Sequence, residues 1–179
     1  VDDTYAFVSG PTMVRQFTGE DLSNEGLGGT SMHAETSGVA HFTVSDRDEA
    51  DDLIAELLGY LPDHTDMAPV GWPCTDPADR PTPEAGDLVP DTPTGSYDVR
   101  DVLASVVDDG HLLEPRSGWA TNLVTAFATI GGRPVGLVAN QPQSMAGTLD
   151  ISASQKGGRF VAFCDAFNLP LVTFVDTSG

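Results

Sequence analysis

The chain has 179 residues, 40% of them hydrophobic, enough for one domain or two small ones with a buried core. Its formal net charge is -19 and Lys156 is its single lysine, so its surface repels nucleic acid and anionic membranes. No apolar run approaches the roughly 18 residues of a membrane span, and the acidic start Val1-Asp2-Asp3 has none of the character of a secretory leader.

Cys74 and Cys164 form no CxxC or ligand pair, for which a reduced, cytoplasmic setting is the simplest reading and a pairing of the two the alternative. Repulsion among so many carboxylates is screened near 1 M salt, where the Debye length is about 3 Å. A salt-adapted source is one expectation; an acidic segment whose compensating bases lie elsewhere is the other.

In chain order, Tyr5-Ala-Phe-Val-Ser alternates weakly up to Gly10-Pro11 and reads as a strand and turn. A short helix follows from Thr12 to Phe17. Residues 18–38 are rich in Gly, Ser and acid and read as loop with about one helical turn. Val39-Ala-His-Phe-Thr-Val44 reads as a second strand. Ser45 has N-cap chemistry, and Asp46, Asp48 and Glu49 suit a first helical turn. Ala50, Leu53, Ile54, Leu57 and Leu58 recur at helical spacing, so an amphipathic helix is predicted over Asp46 to Tyr60.

From Leu61 to Gly95 the composition changes. Pro62, Pro69, Pro73, Pro77, Pro81, Pro83, Pro90 and Pro93 punctuate a stretch of Asp and Thr, which reads as a linker or extended wrapping segment. Trp72 within it reads as an anchor onto a folded surface. Val99, Val102, Leu103 and Val106 predict a helix from Asp98 to Asp108. Two apolar runs, Asn122 to Ile130 and Pro134 to Ala139, flank Gly131-Gly132-Arg133 and predict a hairpin. A helix from Ser152 or Asp150 to about Phe167 comes next, with Asn168 at its C-cap and Pro170 soon after. Leu171 to Val175 reads as a short buried strand.

Several stretches carry a family resemblance. They are Pro134-Val-Gly-Leu-Val-Ala-Asn-Gln-Pro142, Gly147-Thr-Leu-Asp-Ile151, Ser154-Gln-Lys-Gly-Gly-Arg-Phe-Val161, and the run from Cys164 to Asp176. Phe7-Val-Ser-Gly-Pro11, Phe17-Thr-Gly-Glu20, Leu27-Gly-Gly-Thr30, His33, Ser37-Gly-Val-Ala-His41, Tyr60-Leu-Pro62, Pro90-Asp91 and Tyr97-Asp-Val-Arg100 follow in the family's order. The chain resembles the carboxyltransferase (beta) subunit of biotin-dependent acyl-CoA carboxylases, of the propionyl-CoA and acetyl-CoA carboxylase type.

The resemblance implies an α/β, crotonase-like ββα superhelix in two related half-domains, both incomplete in this chain. On that reading residues 1–62 end the N-terminal, acyl-CoA-binding half, 63–96 are a Pro/Asp-rich linker, and 97–179 begin the C-terminal, carboxybiotin-binding half. The reaction implied is transfer of a carboxyl group from carboxybiotin to the α carbon of a short-chain acyl-CoA. Biotin would ride on a partner, a biotin carboxylase or biotin carboxyl carrier subunit. The subunit would be a homo-oligomer with its site at a dimer interface, without metal, nucleic acid or membrane. Backbone N–H pairs from two glycine-rich turns would stabilise the enolate and the ureido oxygen. This chain is expected to start after the first of those turns and stop before the second, and so to be inactive alone. An acyl-CoA decarboxylase subunit and a non-catalytic assembly segment are the alternatives.

On the biotin side the candidate contacts are Asn140, Gln141 and Gly147, in the loop after a strand where crotonase-like folds face their ligand. On the acyl-CoA side they are His33, Ser37 and Gly38, with a hydrogen-bonded structural histidine as the plainer reading of His33. Lys156 and Arg159 share a helix face and suit either a phosphate or neighbouring acids. Cys164 reads as a small core hydrophobe. The chain departs from the family pattern in two places. Val175-Asp-Thr-Ser-Gly179 replaces Val-Asp-Val-Pro-Gly, and Gly157-Gly158 stand where alanines are usual.

Overall fold

The computed structural model describes residues 4–77, 79–92 and 95–177, so the acidic start and the Ser178-Gly179 end of the divergent loop lie outside the described residues. The chain divides into two units: Val1–Ile54 with Arg116–Trp119, and Ala55–Pro115 with Ala120–Gly179.

The first unit is built from short helices held by their caps. Pro11–Thr18 (α1) has Pro11 in its first turn, where the missing N–H costs nothing, and stops at Gly19 in the left-handed region (φ 78°). Asn24–Gly28 (α2) is capped by the Ser23 hydroxyl, which accepts from Gly26 N at 3.0 Å. Met32–Thr36 forms a π-helical turn. Arg47–Gly59 (α3), whose residues from Ala55 on belong to the second unit, matches the predicted amphipathic helix. Its N-terminus is capped by Asp46 rather than by Ser45: Glu49 N donates to Asp46 Oδ1 at 3.0 Å, while the Glu49 carboxylate accepts from Ser45 N at 2.7 Å.

Neither predicted strand of this unit forms. Tyr5–Ser9 and Val39–Val44 carry alternating side chains, but their backbone bonds are isolated ones and build no ladder: Ala6 N donates to Gly28 O, Ala40 N donates to His33 O, and His41 O accepts from Arg116 N. A strand needs a ladder as well as a pattern, and Val8 and Val39 remain exposed.

In the second unit the proline-rich stretch includes a short helix, Pro83–Asp87 (α4), among its described residues. Trp72 anchors it as predicted. The indole stacks on Tyr60 with centroids 4.7 Å apart and donates to Gly59 O at 3.0 Å, while Trp72 N donates to Gly132 O at 2.7 Å. Arg80 continues the docking by donating to Ser105 O at 3.1 Å, where the carbonyls at the end of Val99–Val106 (α5) favour a cation.

The predicted hairpin is Leu123–Ile130 (β1) and Arg133–Asn140 (β2), antiparallel in register from Leu123 opposite Asn140 to Ile130 opposite Arg133. Its two-residue turn, Gly131 and Gly132, has φ of 58° and 73°, as a type I′ geometry requires. Ile151–Ala166 (α6) then crosses back, and Leu171–Phe174 (β3) joins β2 in parallel to give the order β1-β2-β3. One sheet face, from Val124, Ala126, Ala128, Val135, Leu137 and Ala139, packs on Val99, Leu103 and Val107 of and beside α5. The other packs on α6, where Phe127 meets Phe160 at 5.0 Å and Phe163 at 5.7 Å. Gly136 is glycine because a Cβ there would meet Cys164 Sγ at 2.5 Å and Leu171 Cδ2 at 3.0 Å. Full burial of side chains such as Leu103 and Leu137 stabilises the unit by roughly 1.5–3 kcal/mol each.

Candidate functional site

β2 and β3 are parallel, so their carboxyl ends open on the same end of the sheet, where ligands of open α/β sheets bind. The candidate residues Asn140, Gln141 and Gly147 lie there, in the connection from β2 to α6. Asn140 and Gln141 are buried, at 7% and 2% exposure. Their polar atoms are engaged by the protein. Asn140 Nδ2 donates to Gly147 O at 2.7 Å, and its Oδ1 accepts from Asp176 N at 3.4 Å. Gln141 Oε1 accepts from Val99 N at 3.2 Å, and its Nε2 donates to Asp98 Oδ1 at 2.6 Å. Gly147 (φ 71°) is in the left-handed region, and a Cβ there would collide with the Asp176 carbonyl oxygen.

Asp98 is the N-cap of α5. Burial works against its charge; hydrogen bonds from Arg100 N and Gln141, with the Arg100 guanidinium, outweigh it and hold the carboxyl below the usual range. Arg100 is itself paired with Glu114, Nε to Oε2 at 2.7 Å. Tyr97, just ahead of the cap, donates its hydroxyl to Asp176 Oδ2 at 2.8 Å. Burial, with the Asp176 carboxylate beside it, pushes the phenol up to about 12, so it stays a donor across the physiological range.

The loop between these anchors is strained. Met145 and Ala146 both have positive φ, 50° and 51°, which non-glycine residues avoid. Thr121 and Ser144 meet by their hydroxyls at 2.9 Å, and Asn122 Nδ2 donates to Thr148 O at 2.8 Å, fixing the loop against the start of β1. Asp150 caps α6 by accepting from Ala153 N at 2.8 Å. Met145, Leu149 and Ile151 are left exposed at the rim, at 60%, 50% and 79%.

The second candidate group is in the first unit. His33 Nε2 lies 2.6 Å from Ala6 O and Nδ1 lies 2.9 Å from Ser37 Oγ. A carbonyl only accepts, so Nε2 carries a proton and donates to Ala6 O. Gly38 (φ 64°) lies under the Trp119 ring, with no room for a Cβ, and its carbonyl accepts from Arg116 Nε at 2.6 Å. His33, Ser37 and Gly38 are thus brought together. Beside them a cavity of about 110 Å³ is lined by Ala34, His41, Phe42, Thr43, Arg116 and Ser117.

Lys156 is not at the surface. It is fully buried, and its Nζ donates to Ala120 O at 3.4 Å, so it presents no charge to a phosphate. Arg159 is exposed. Cys164 is buried as expected, and burial pushes its thiol up to about 12.

The carboxyl transferase domain model matches residues 1–179. The chain belongs to the carboxyl transferase domain family. It is 43% identical over 178 residues to the propionyl-CoA carboxylase carboxyltransferase subunit of Haloferax mediterranei, covering 99% of this chain and 34% of that protein. It is 45% identical over 177 residues to the methylmalonyl-CoA decarboxylase subunit alpha of Veillonella parvula, covering 97% and 34%. Among solved structures, the transcarboxylase 12S hexamer with hydrolysed methylmalonyl-coenzyme A superposes with a TM-score of 0.94 at 45% identity, over 98% of this chain and 34% of that one. This carboxyl transferase chain therefore has the crotonase-like α/β fold, and it spans about a third of the length of the relatives it matches. The residues that the sequence left without a role are Tyr97, Asp98 and Asn122; Asp176, at a strand end, read as structural rather than as a general base. Tyr97 and Asp98 open one of the family stretches, which was the available signal. Nothing in the sequence marked Asn122.

Proposed function

We propose that this chain is part of a carboxyltransferase component that moves a carboxyl group from carboxybiotin to the α carbon of a short-chain acyl-CoA, propionyl-CoA first. The observation that carries the reading is the match along the whole chain to carboxyl transferases, joined to a TM-score of 0.94 with the transcarboxylase 12S structure. Residues 1–62 would serve the acyl-CoA side, 63–96 the linker and 97–179 the biotin side. Carboxybiotin is a co-substrate delivered by a biotin-carrying partner, and it supplies the carboxyl group. Exposed Met145, Leu149 and Ile151 suit an apolar ring at the mouth of the 141–150 loop. Asn140 and Gln141 have their polar atoms engaged, so their part is to shape that loop. His33, Ser37 and Gly38 would shape the acyl-CoA side in the same way. The subunit would act as a cytoplasmic homo-oligomer with a biotin carboxylase or carrier partner.

Decarboxylation is the second reading, favoured by the 45% identity to a methylmalonyl-CoA decarboxylase subunit. The test uses the full-length subunit with carboxybiotin and propionyl-CoA. Carboxylated product is expected from the full subunit and none from the 179-residue chain alone, because a single lost oxyanion donor costs about 10²- to 10³-fold. A full subunit that leaves propionyl-CoA uncarboxylated overturns the carboxylase reading. Turnover by the isolated chain overturns the assignment of the oxyanion donors to other parts of the subunit.

A further inference from the structure

Three segments that are distant in sequence converge on one point, the backbone and carboxylate of Asp176 where the chain leaves β3. The lead-in to α5 reaches it through the Tyr97 hydroxyl, at 2.8 Å. The end of β2 reaches it through Asn140 Oδ1, which accepts from Asp176 N. The 141–150 loop reaches it through Gly147, whose missing side chain lets the Asp176 carbonyl lie against its backbone. Asn140 closes the figure by donating to Gly147 O at 2.7 Å.

We propose that Tyr97 and Asn140 are positioning residues for carboxyl transfer, holding the chain at Asp176 in one conformation beside the β2–α6 loop. This rests on the functional reading above. The ring of Tyr97 already packs on the core formed by α5 and the sheet, and a phenylalanine would fill that place equally well. The hydroxyl adds only the bond to Asp176. Asp176 is exposed, and a hydrogen bond to an exposed group contributes little to stability. What the bond does constrain is geometry, at the carboxyl ends of both parallel strands, where a small displacement of reacting groups is costly. Asn140 does the same from the buried side. Its side chain binds both the loop, at Gly147 O, and the strand exit, at Asp176 N.

The experiment uses the full-length subunit with its biotin-carrying partner and compares Tyr97→Phe, Asp176→Ala, Asp176→Asn and the Tyr97→Phe/Asp176→Ala double variant. Measured are kcat and KM for propionyl-CoA, the melting temperature, and hydrogen exchange over residues 140–147 and 175–177. Tyr97→Phe and Asp176→Ala are each expected to lower kcat roughly 10- to 100-fold, with KM for the acyl-CoA and the melting temperature unchanged. The double variant should be no worse than either single one. Asp176→Asn, which keeps an oxygen to accept the hydroxyl, should restore most of the rate. Exchange should rise in the two named segments only. An unchanged kcat in Tyr97→Phe overturns the proposal and leaves the carboxyltransferase reading intact; so does a loss that is additive in the double variant. A wild-type subunit without transfer activity overturns that reading instead. Unchanged exchange in Tyr97→Phe then overturns the clasp on its own evidence.

Discussion

The two units are stabilised by different means. In the second, the β1–β2 hairpin is covered on both faces, and Leu103, Val124, Ala126, Leu137, Ala139 and Cys164 are wholly withdrawn from water, although β3, expected as a buried strand, is an edge strand with Leu171 38% exposed. In the first, neither α1 nor the π-helical turn buries a side chain, and Phe17 and Val8 are exposed at 82% and 106%. Its order comes from caps, from the His33 hydrogen bonds to Ala6 and Ser37, and from glycines that let groups approach closely, such as Gly38 under Trp119. Apolar burial scales with area and is hard to remove at one position only. A hydrogen-bonded scaffold with little buried area is lost more readily, and its exposed apolar side chains mark a surface suited to being covered.

The sharpest way to test the contrast is to remove one side chain from each unit. Leu137→Ala empties the centre of the sheet, and a loss of about 2–5 kcal/mol is expected because rigid neighbours on β1 and α5 cannot close the cavity. Phe17→Ala removes a larger side chain from an exposed place and should change stability by less than about 0.5 kcal/mol. Denaturant midpoints of the two variants check this. Similar losses would mean that Phe17 has a buried environment in solution and that the contrast between the units is false.

A smaller effect is expected at the hairpin turn. Asp108 is buried, and its two carboxylate oxygens accept from Gly131 N at 2.9 Å and Gly132 N at 2.7 Å. Burial works against its charge, but the Gly132 and Gly131 N–H groups, with Thr129 and Cys74, outweigh it and hold the carboxyl below 3.8. A folded value below the unfolded one means that the native chain binds fewer protons at acid pH. The stabilisation is therefore complete above about pH 4 and is lost as pH falls through the folded value. Asp108→Asn replaces one acceptor with a donor facing an N–H, and should cost about 1–3 kcal/mol at pH 7. The difference from wild type should shrink in melts below pH 3.8. A gap independent of pH would show that the cost is one of packing.

The elements legible in the sequence were those whose signal is local. α3, α5, α6 and the hairpin each combine a period with a cap or a Gly-Gly turn, and all four formed close to their expected bounds. The strands expected at Tyr5 and Val39 failed because a pattern of side chains does not say whether the backbone finds a partner strand. The candidate site was legible as a place: the loop after β2 was named from its family stretch. Its internal workings were not. Gln141 meets Val99 N across 42 residues of sequence, and Tyr97 meets Asp176 across 79. Lys156 misled for a related reason. A lone lysine among carboxylates reads as a surface charge, and only the packing of α6 on the turn at Ala120 takes it out of water.

The smallest expected effect tests how tightly α6 is seated on the sheet. Gly157 and Gly158 both lower helix propensity, and on propensity alone alanine at either position should stabilise by roughly 0.4–1 kcal/mol. The structure separates them. At Gly158 an added Cβ meets nothing within 4 Å, so Gly158→Ala should realise that full gain. At Gly157 the Cβ would stand 2.9 Å from Leu123 Cδ2, and Leu123 is itself only 4% exposed at the start of β1. The leucine cannot retreat without opening the face that α6 covers, and overpacking of that kind costs about 1–3 kcal/mol, which exceeds the propensity gain. Thermal melts should therefore rise for Gly158→Ala and fall for Gly157→Ala. A rise for both would mean that α6 rides more loosely on β1 than the Leu123 contact implies. The second unit would then owe less of its stability to close packing, and the contrast with the first would narrow.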